Sequence, residues 1–199
     1  MKYILGFLLF LSAIGLSIYG FKSHIEKQKE YIKRALTTPP NLSIETILGK
    51  NLPTQKIVDD DSLLGIDNNH NEIRDDIELK IFAAFKTPIQ RAIFLQSFRA
   101  EQRMLTDPYL IKNAKIWAKA TDEVLGCIGY LHEYKNIPLN KKVANTILSW
   151  RYNNEKRVSK YFEYDQALSG GVYSIPKSWS QYCQFDVEAV LKLEENQSY

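Results

Sequence analysis

Cysteine and histidine are scarce in this chain, which contains two Cys and three His in 199 residues. There is no Cys-x-x-Cys pair and no pair of histidines at metal-ligand spacing, which excludes a zinc ribbon. The chain also lacks a phosphate-binding loop, a dinucleotide fingerprint, the Gly-x-Ser-x-Gly elbow of hydrolases and the His-Glu-x-x-His motif of metalloproteases. None of these common catalytic signatures is therefore present.

The chain also lacks a strong excess of charge of either sign. Its 26 basic and 23 acidic residues give a net charge of +3, and without Lys2 and Lys22 the balance is 24 against 23. A nearly balanced surface indicates no nucleic-acid partner and no polyanionic substrate. With 45% hydrophobic and 12% aromatic residues, the chain is long enough to form one domain with a substantial core.

The amino-terminal segment, residues 3–21, contains no charged side chain. Its length is close to the roughly 20 apolar residues that a helix needs to cross a bilayer, so residues 1–22 are predicted to be a single-pass membrane anchor. A cleaved signal peptide is the second choice. The pairs of small residues that could form a cleavage site lie inside the apolar run rather than after it, which favours retention.

Residues 67–78 are the most informative stretch, because their oxygen-bearing side chains fall at the spacing of a twelve-residue calcium loop. A hard cation requires six to eight oxygen ligands, which a chain supplies from alternate residues by curling around the ion. The predicted ligands, in loop order, are Asp67, Asn69, Asn71, the backbone carbonyl of Ile73, Asp75 and the bidentate carboxylate of Glu78.

This segment resembles the solitary calcium loops of the EF-hand-like and thrombospondin type 3 kinds, over these twelve residues only. The resemblance implies one structural calcium ion. Two positions depart from the pattern, since Glu72 replaces the usual Gly and Arg74 replaces an aliphatic residue. The alternative is an Asn-rich turn whose acidic residues complement the dipole of the helix that follows.

Cys127 and Cys183 are well separated in the chain, and each lies among aromatic and apolar residues. In an oxidising compartment they are predicted to form a disulfide bond that fastens the carboxy-terminal segment to a core helix. The alternative is a pair of buried free thiols that behave as small hydrophobic groups.

The predicted fold class is mainly α: a transmembrane helix, then one helical domain of about four to six helices with an extended carboxy-terminal segment. Residues 23–61 are assigned to a helical extension and linker, and residues 62–199 to the domain that opens with the calcium loop. Helices are predicted over 73–85, from Thr87-Pro88, from Asp107-Pro108, from Asn140 to the Gly pair at 170–171, and over 186–195, with 172–179 extended.

Other candidates for chemistry are scattered. His132, Glu101 and Asp165 could each serve as a general acid or base, but nothing in the sequence brings them together. Four arginines could line a groove, although ion pairs with Glu101 and Glu155 on helix surfaces explain them more simply. These arginines are Arg99, Arg103, Arg151 and Arg157.

The orientation signals conflict. Five basic residues between Lys22 and Arg34 follow the apolar segment, which places the domain in the cytoplasm by the positive-inside tendency. The calcium loop and the cysteine pair favour the opposite side, where calcium is abundant and disulfides form. We predict the extracytoplasmic, periplasmic side.

Two classes of function follow. The first is a membrane-anchored, non-enzymatic protein of the cell envelope that binds or scaffolds another envelope protein or a wall component. The second is a small envelope hydrolase that acts on peptidoglycan or peptide, with calcium in a structural role. The lack of catalytic signatures favours the first.

Overall fold

The computed structural model describes residues 17, 19–33, 39–53, 61–138, 147–174 and 176–197. Over these ranges the regular structure is helical and includes no β-strand, which confirms the mainly α class. The helices are α1 (residues 19–33), α2 (Ile44–Leu48), α3 (Asp75–Ala84), α4 (Pro88–Leu105), α5 (Leu110–Lys135), α6 (residues 147–151), α7 (Glu155–Leu168) and α8 (Val187–Gln197), with a 3₁₀ turn at Ser180–Tyr182.

The start of α4 follows the local sequence signal. The Thr87 hydroxyl accepts a hydrogen bond from the backbone N–H of Gln90 at 3.4 Å, and Pro88 occupies the first turn. A proline costs little there, because its missing N–H has no partner within the helix. The predicted start at Thr87-Pro88 is confirmed.

The equivalent prediction at Asp107-Pro108 is wrong. Helix α5 begins at Leu110, and no side chain caps it. The buried Asp107 carboxylate instead accepts hydrogen bonds from the Asn113 amide at 2.8 Å and from the Trp117 indole at 2.7 Å. It thus joins the α4–α5 corner to the first turns of α5.

The sequence predicts a single helix from Asn140 to the Gly pair. Asn140 lies outside the described ranges, and within residues 147–168 the prediction is wrong, because the structure has two helices there. A turn at residues 152–154 separates α6 from α7. The Asn154 side chain caps α7 by accepting a hydrogen bond from the Arg157 N–H at 2.9 Å. Phe162 of α7 is 62% exposed.

Helix α4 lies at the centre of the domain and contacts α2, α3, α5, α7 and α8. The apolar faces of these helices meet around it, and burying them supplies the main stabilising free energy. The core includes Ile77 and Ile81 of α3, Ala92 and Leu95 of α4, Leu131 of α5 and Val190 of α8. A smaller cluster joins α4 to α5 and contains Met104, Leu105, Leu110 and Trp117.

Part of the segment assigned to a linker, residues 23–61, contributes to this core. Within residues 39–53, Ile47 of α2 is fully buried and Leu42 is almost so. The backbone N–H of Leu42 donates to the carbonyl of Gln184 at 2.6 Å. The chain before the calcium loop is therefore packed against the part that precedes α8.

The carboxy-terminal segment is fastened as predicted. Cys127 of α5 and Cys183 form a disulfide bond with their Cα atoms 4.8 Å apart, and both are buried. The described part of residues 172–179 contains no helix, and α8 corresponds to the last predicted helix.

Most of the predicted anchor, residues 3–21, lies outside the described residues. Among the helices that the structure does describe, none combines the length and the apolar character needed to cross a membrane.

Candidate metal centre

The predicted calcium loop connects residues 61–66 to α3 and curls into a closed turn. The N–H of Asp75 donates to the carbonyl of Ile66 at 2.8 Å, which joins the two ends of the curl. The side chain of Ile73 is fully buried in the core and holds the loop against the domain. Helix α3 begins at Asp75, so Glu78 lies in its first turn.

Asp67 organises the backbone of this loop. Its carboxylate accepts hydrogen bonds from the N–H groups of Asn71 at 3.1 Å and Glu72 at 3.0 Å. Glu72 has a φ of 66° and His70 a φ of 55°, both in the left-handed region. Burial raises the pKa of Asp67, the two backbone hydrogen bonds lower it, and the charge of Asp75 raises it further. Position 6 thus has the backbone conformation for which calcium loops normally use Gly.

Glu78 lies at the centre of the site and is only 2% exposed. Its carboxylate accepts hydrogen bonds from the amide groups of Asn71 at 2.7 Å and Asn69 at 3.0 Å. Burial raises the pKa of Glu78 to about 7; the two amide donors act against this, whereas the charges of Asp75 and Asp67 add to it. The carboxyl groups of Asp67, Asp75 and Glu78 therefore repel one another within residues 67–78.

Asp75 is held in the loop by Asn68, a residue outside the predicted ligand set. Its carboxylate accepts hydrogen bonds from the backbone N–H of Asn68 at 3.1 Å and from the Asn68 side-chain amide at 2.7 Å. Asn68 therefore belongs to the network that closes the loop. Sequence spacing gave no signal for this role, because loop position 2 is not a ligand position.

The donor set fits a hard cation in its chemistry. Three carboxylates, two amide oxygens and one backbone carbonyl are the oxygen ligands that calcium prefers, and the structure brings these residues together in one loop. The Asn69 and Asn71 amides direct their N–H₂ groups at Glu78, while their oxygens accept from backbone N–H groups. Both amides must rotate to offer oxygen to an ion. Among the described residues, no group of three or more acidic, His or Cys side chains is already arranged to hold a metal.

Arg74, at the usual aliphatic position, connects the loop to the end of α6. Only 4% exposed, it pairs with Asp76 at 2.9 Å and donates to the backbone carbonyls of Trp150 at 2.9 Å and Arg151 at 3.3 Å. The departure from the aliphatic pattern was the sequence signal for this contact.

The candidate acid–base residues are not brought together. His132 is exposed, with its ring nitrogen 3.4 Å from the carbonyl of Ile137, and Asp165 is exposed on α7. Glu101 is buried and lies 2.9 Å from the Arg151 guanidinium. One exposed histidine, one exposed aspartate and one buried carboxylate do not form a shared acid–base site.

The expected ion pair between Arg151 and Glu101 is present at 2.9 Å. The expectation of a surface position is wrong for Arg99, Arg103 and Arg157, which are each at most 6% exposed. Arg157 donates to the backbone carbonyls of Ser62 at 2.8 Å and Leu63 at 3.2 Å. It therefore holds the segment that precedes residues 67–78.

Comparison of the chain with known proteins gave no match to a family model, to a curated protein or to a solved structure.

Proposed function

We propose that this protein is a non-enzymatic binding or scaffolding protein of the cell envelope, with one structural calcium ion in residues 67–78. The convergence of Asp67, Asp75 and Glu78 around a loop with positive φ at Glu72 carries this proposal. A cation neutralises carboxyl groups that otherwise repel one another in a buried position. The dispersed acid–base candidates favour a binding role over the hydrolase alternative.

We further propose that residues 3–21 anchor the chain, with the helical domain on the extracytoplasmic side. The uncharged segment is long enough for a span, and a buried disulfide suits an oxidising compartment. The partner is then another envelope protein or a wall component, and nucleic acid is not expected at a net charge of +3.

Calcium in this loop stabilises the domain and need not act as a switch. For a site with a Kd of about 10⁻⁴ M in ~1 mM calcium, binding to the folded state alone contributes roughly 1.4 kcal/mol. Through Arg74, ordering of the loop also orders the end of α6.

The calcium test uses the full-length chain in detergent, first with chelator and then with calcium. Calcium should raise Tm by about 3–6 °C, since 1 kcal/mol corresponds to a few degrees for a domain of this size. Asp67→Asn and Glu78→Gln should abolish the rise, because each removes a ligand charge while preserving side-chain shape. Differential scanning calorimetry measures the effect.

Asp165→Asn is the matched control, because Asp165 is exposed on α7 and outside the loop. It should keep the full calcium response. Asn68→Ala is unsuitable as a control, since Asn68 binds Asp75. If the wild-type Tm is unchanged up to about 10 mM calcium, well above the range of weak loops, the segment is only a polar helix start.

A further inference from the structure

A basic cleft lies beside the calcium loop, between α1, residues 39–46 and α4. Its volume is about 860 Å³. Arg99 and Arg103, one helical turn apart on α4, contribute to its lining from buried positions. Tyr31, Pro39 and Leu42 supply apolar walls.

Arg99 is 5% exposed and poorly compensated for a buried cation. One of its terminal nitrogens donates to the Gln184 side-chain oxygen at 2.6 Å, and its Nε has no hydrogen-bond partner. Guanidinium groups carry five N–H donors, and a buried charge without a counter-ion is unfavourable. The Arg99 side chain therefore retains donors for a ligand.

The Glu72 carboxylate acts on both arginines. Arg103 lies 3.5 Å from Glu72, and this carboxylate also acts on Arg99 at longer range. Burial lowers the pKa of Arg99 to about 10; Glu72 acts in the opposite direction, and Arg103 lowers the pKa further. At the rim, Lys33 and Glu30 offset each other in formal charge.

We propose that this cleft binds a small organic anion whose carboxylate or phosphate group pairs with Arg99, with Arg103 beside it. A planar guanidinium matches either oxyanion with two parallel hydrogen bonds. The cleft volume falls within the range of small-molecule sites, and its apolar walls accommodate a hydrocarbon or ring portion. The cleft adjoins the predicted calcium loop, since His70, Asn71 and Glu72 also contribute to its lining.

The test measures Tm of the full-length chain in detergent and chelator, so that its outcome does not depend on calcium. The probes are phenyl phosphate, benzoate and inorganic phosphate, each against sodium chloride at equal ionic strength. At least one oxyanion should raise Tm saturably, and chloride should not. A response to phenyl phosphate alone identifies a phosphate ligand, and a response to benzoate alone identifies a carboxylate ligand.

Arg99→Met should abolish this response, because it removes the guanidinium group that pairs with the anion. Arg99→Lys keeps the positive charge but cannot make two parallel hydrogen bonds to an oxyanion. The apparent Kd for the anion should therefore rise about tenfold or more. Arg91→Met is the matched control, since Arg91 lies on the same helix and donates to the carbonyl of Phe85. It should respond as the wild type does.

Three results would overturn the proposal. The first is no Tm change with any oxyanion up to about 10 mM, beyond which binding is too weak to be specific. The second is an equal rise with chloride. The third is an undiminished response in both Arg99 variants.

Discussion

Glu72 illustrates how a single residue serves two surfaces. Its positive φ of 66° costs on the order of 1 kcal/mol relative to Gly. Its backbone N–H donates to Asp67 inside the loop, as that of a glycine would, and its carboxylate lies 3.5 Å from Arg103 in the cleft. A glycine would relieve the strain but would remove the carboxylate that acts on both Arg99 and Arg103.

The raised pKa of Glu78 predicts a pH dependence of stability in the calcium-free protein. Its pKa rises from 4.5 to about 7 on folding, so the folded state binds more protons between these values. Stability should therefore fall as pH increases from about 4.5 through 7, by roughly 2–3 kcal/mol. Urea unfolding in chelator at several pH values measures this slope.

The Glu78→Gln variant cannot ionise at this position and should lose most of that slope. At pH 8 without calcium it should be at least as stable as the wild type. The same slope in the variant would assign the pH dependence to other groups.

Helix α5 packs closely against the carboxy-terminal segment because a glycine, Gly126, lies at the contact. A Cβ atom at Gly126 would lie 2.4 Å from the Tyr182 ring and 2.7 Å from the Lys177 carbonyl oxygen. This close approach brings Cys183 against Cys127, next to Gly126 in the helix. The glycine therefore sets the distance between α5 and residues 177–183.

Gly126→Ala should consequently destabilise the protein, although alanine favours helix formation by about 1 kcal/mol. Overpacking against a ring and a backbone carbonyl costs about 1–3 kcal/mol, so a net loss of up to roughly 2 kcal/mol is expected. Gly129→Ala is the comparison, because its closest neighbour is the Ser178 hydroxyl, which can rotate away. Urea denaturation should show little change for Gly129→Ala, and equal losses in both variants would contradict this account.

At the scale of the whole molecule, segments distant in sequence enclose the central helix α4. The disulfide joins two residues 56 positions apart in the sequence. The backbone N–H of Leu42 is hydrogen-bonded to the carbonyl of Gln184, the residue after Cys183. In the chain-entropy model, a bridge over a loop of this length contributes about 4 kcal/mol by restricting the unfolded chain. Because both cysteines are buried, reductant reaches the bond mainly through unfolding.

A fractionation experiment tests the anchor and the disulfide together. Protein from its own cells should stay in the membrane pellet after alkaline washing, with its amino-terminal apolar segment retained. Its two cysteines should resist alkylation unless the chain is unfolded and reduced, as mass spectrometry would show. A soluble chain lacking residues 1–22 would instead indicate a cleaved signal peptide, and two freely alkylated thiols would argue against export.

Features that depend on neighbouring residues could be predicted from the sequence. The start of α4 follows from Thr87 and Pro88, and the ligand spacing of residues 67–78 is complete within twelve positions. The mainly α class follows from helical periodicity and helix-start signals, which are also local.

Tertiary structure alone decided the environment of the charged residues. Arg157 is buried because its donors reach the backbone of residues 62–63, and Arg99 because Gln184 lies beside it. Asp107 binds Trp117 instead of capping α5, because the α4–α5 corner encloses it. In the first two cases the partner is more than 80 residues away, and in all three the folded chain determines which polar partners replace water.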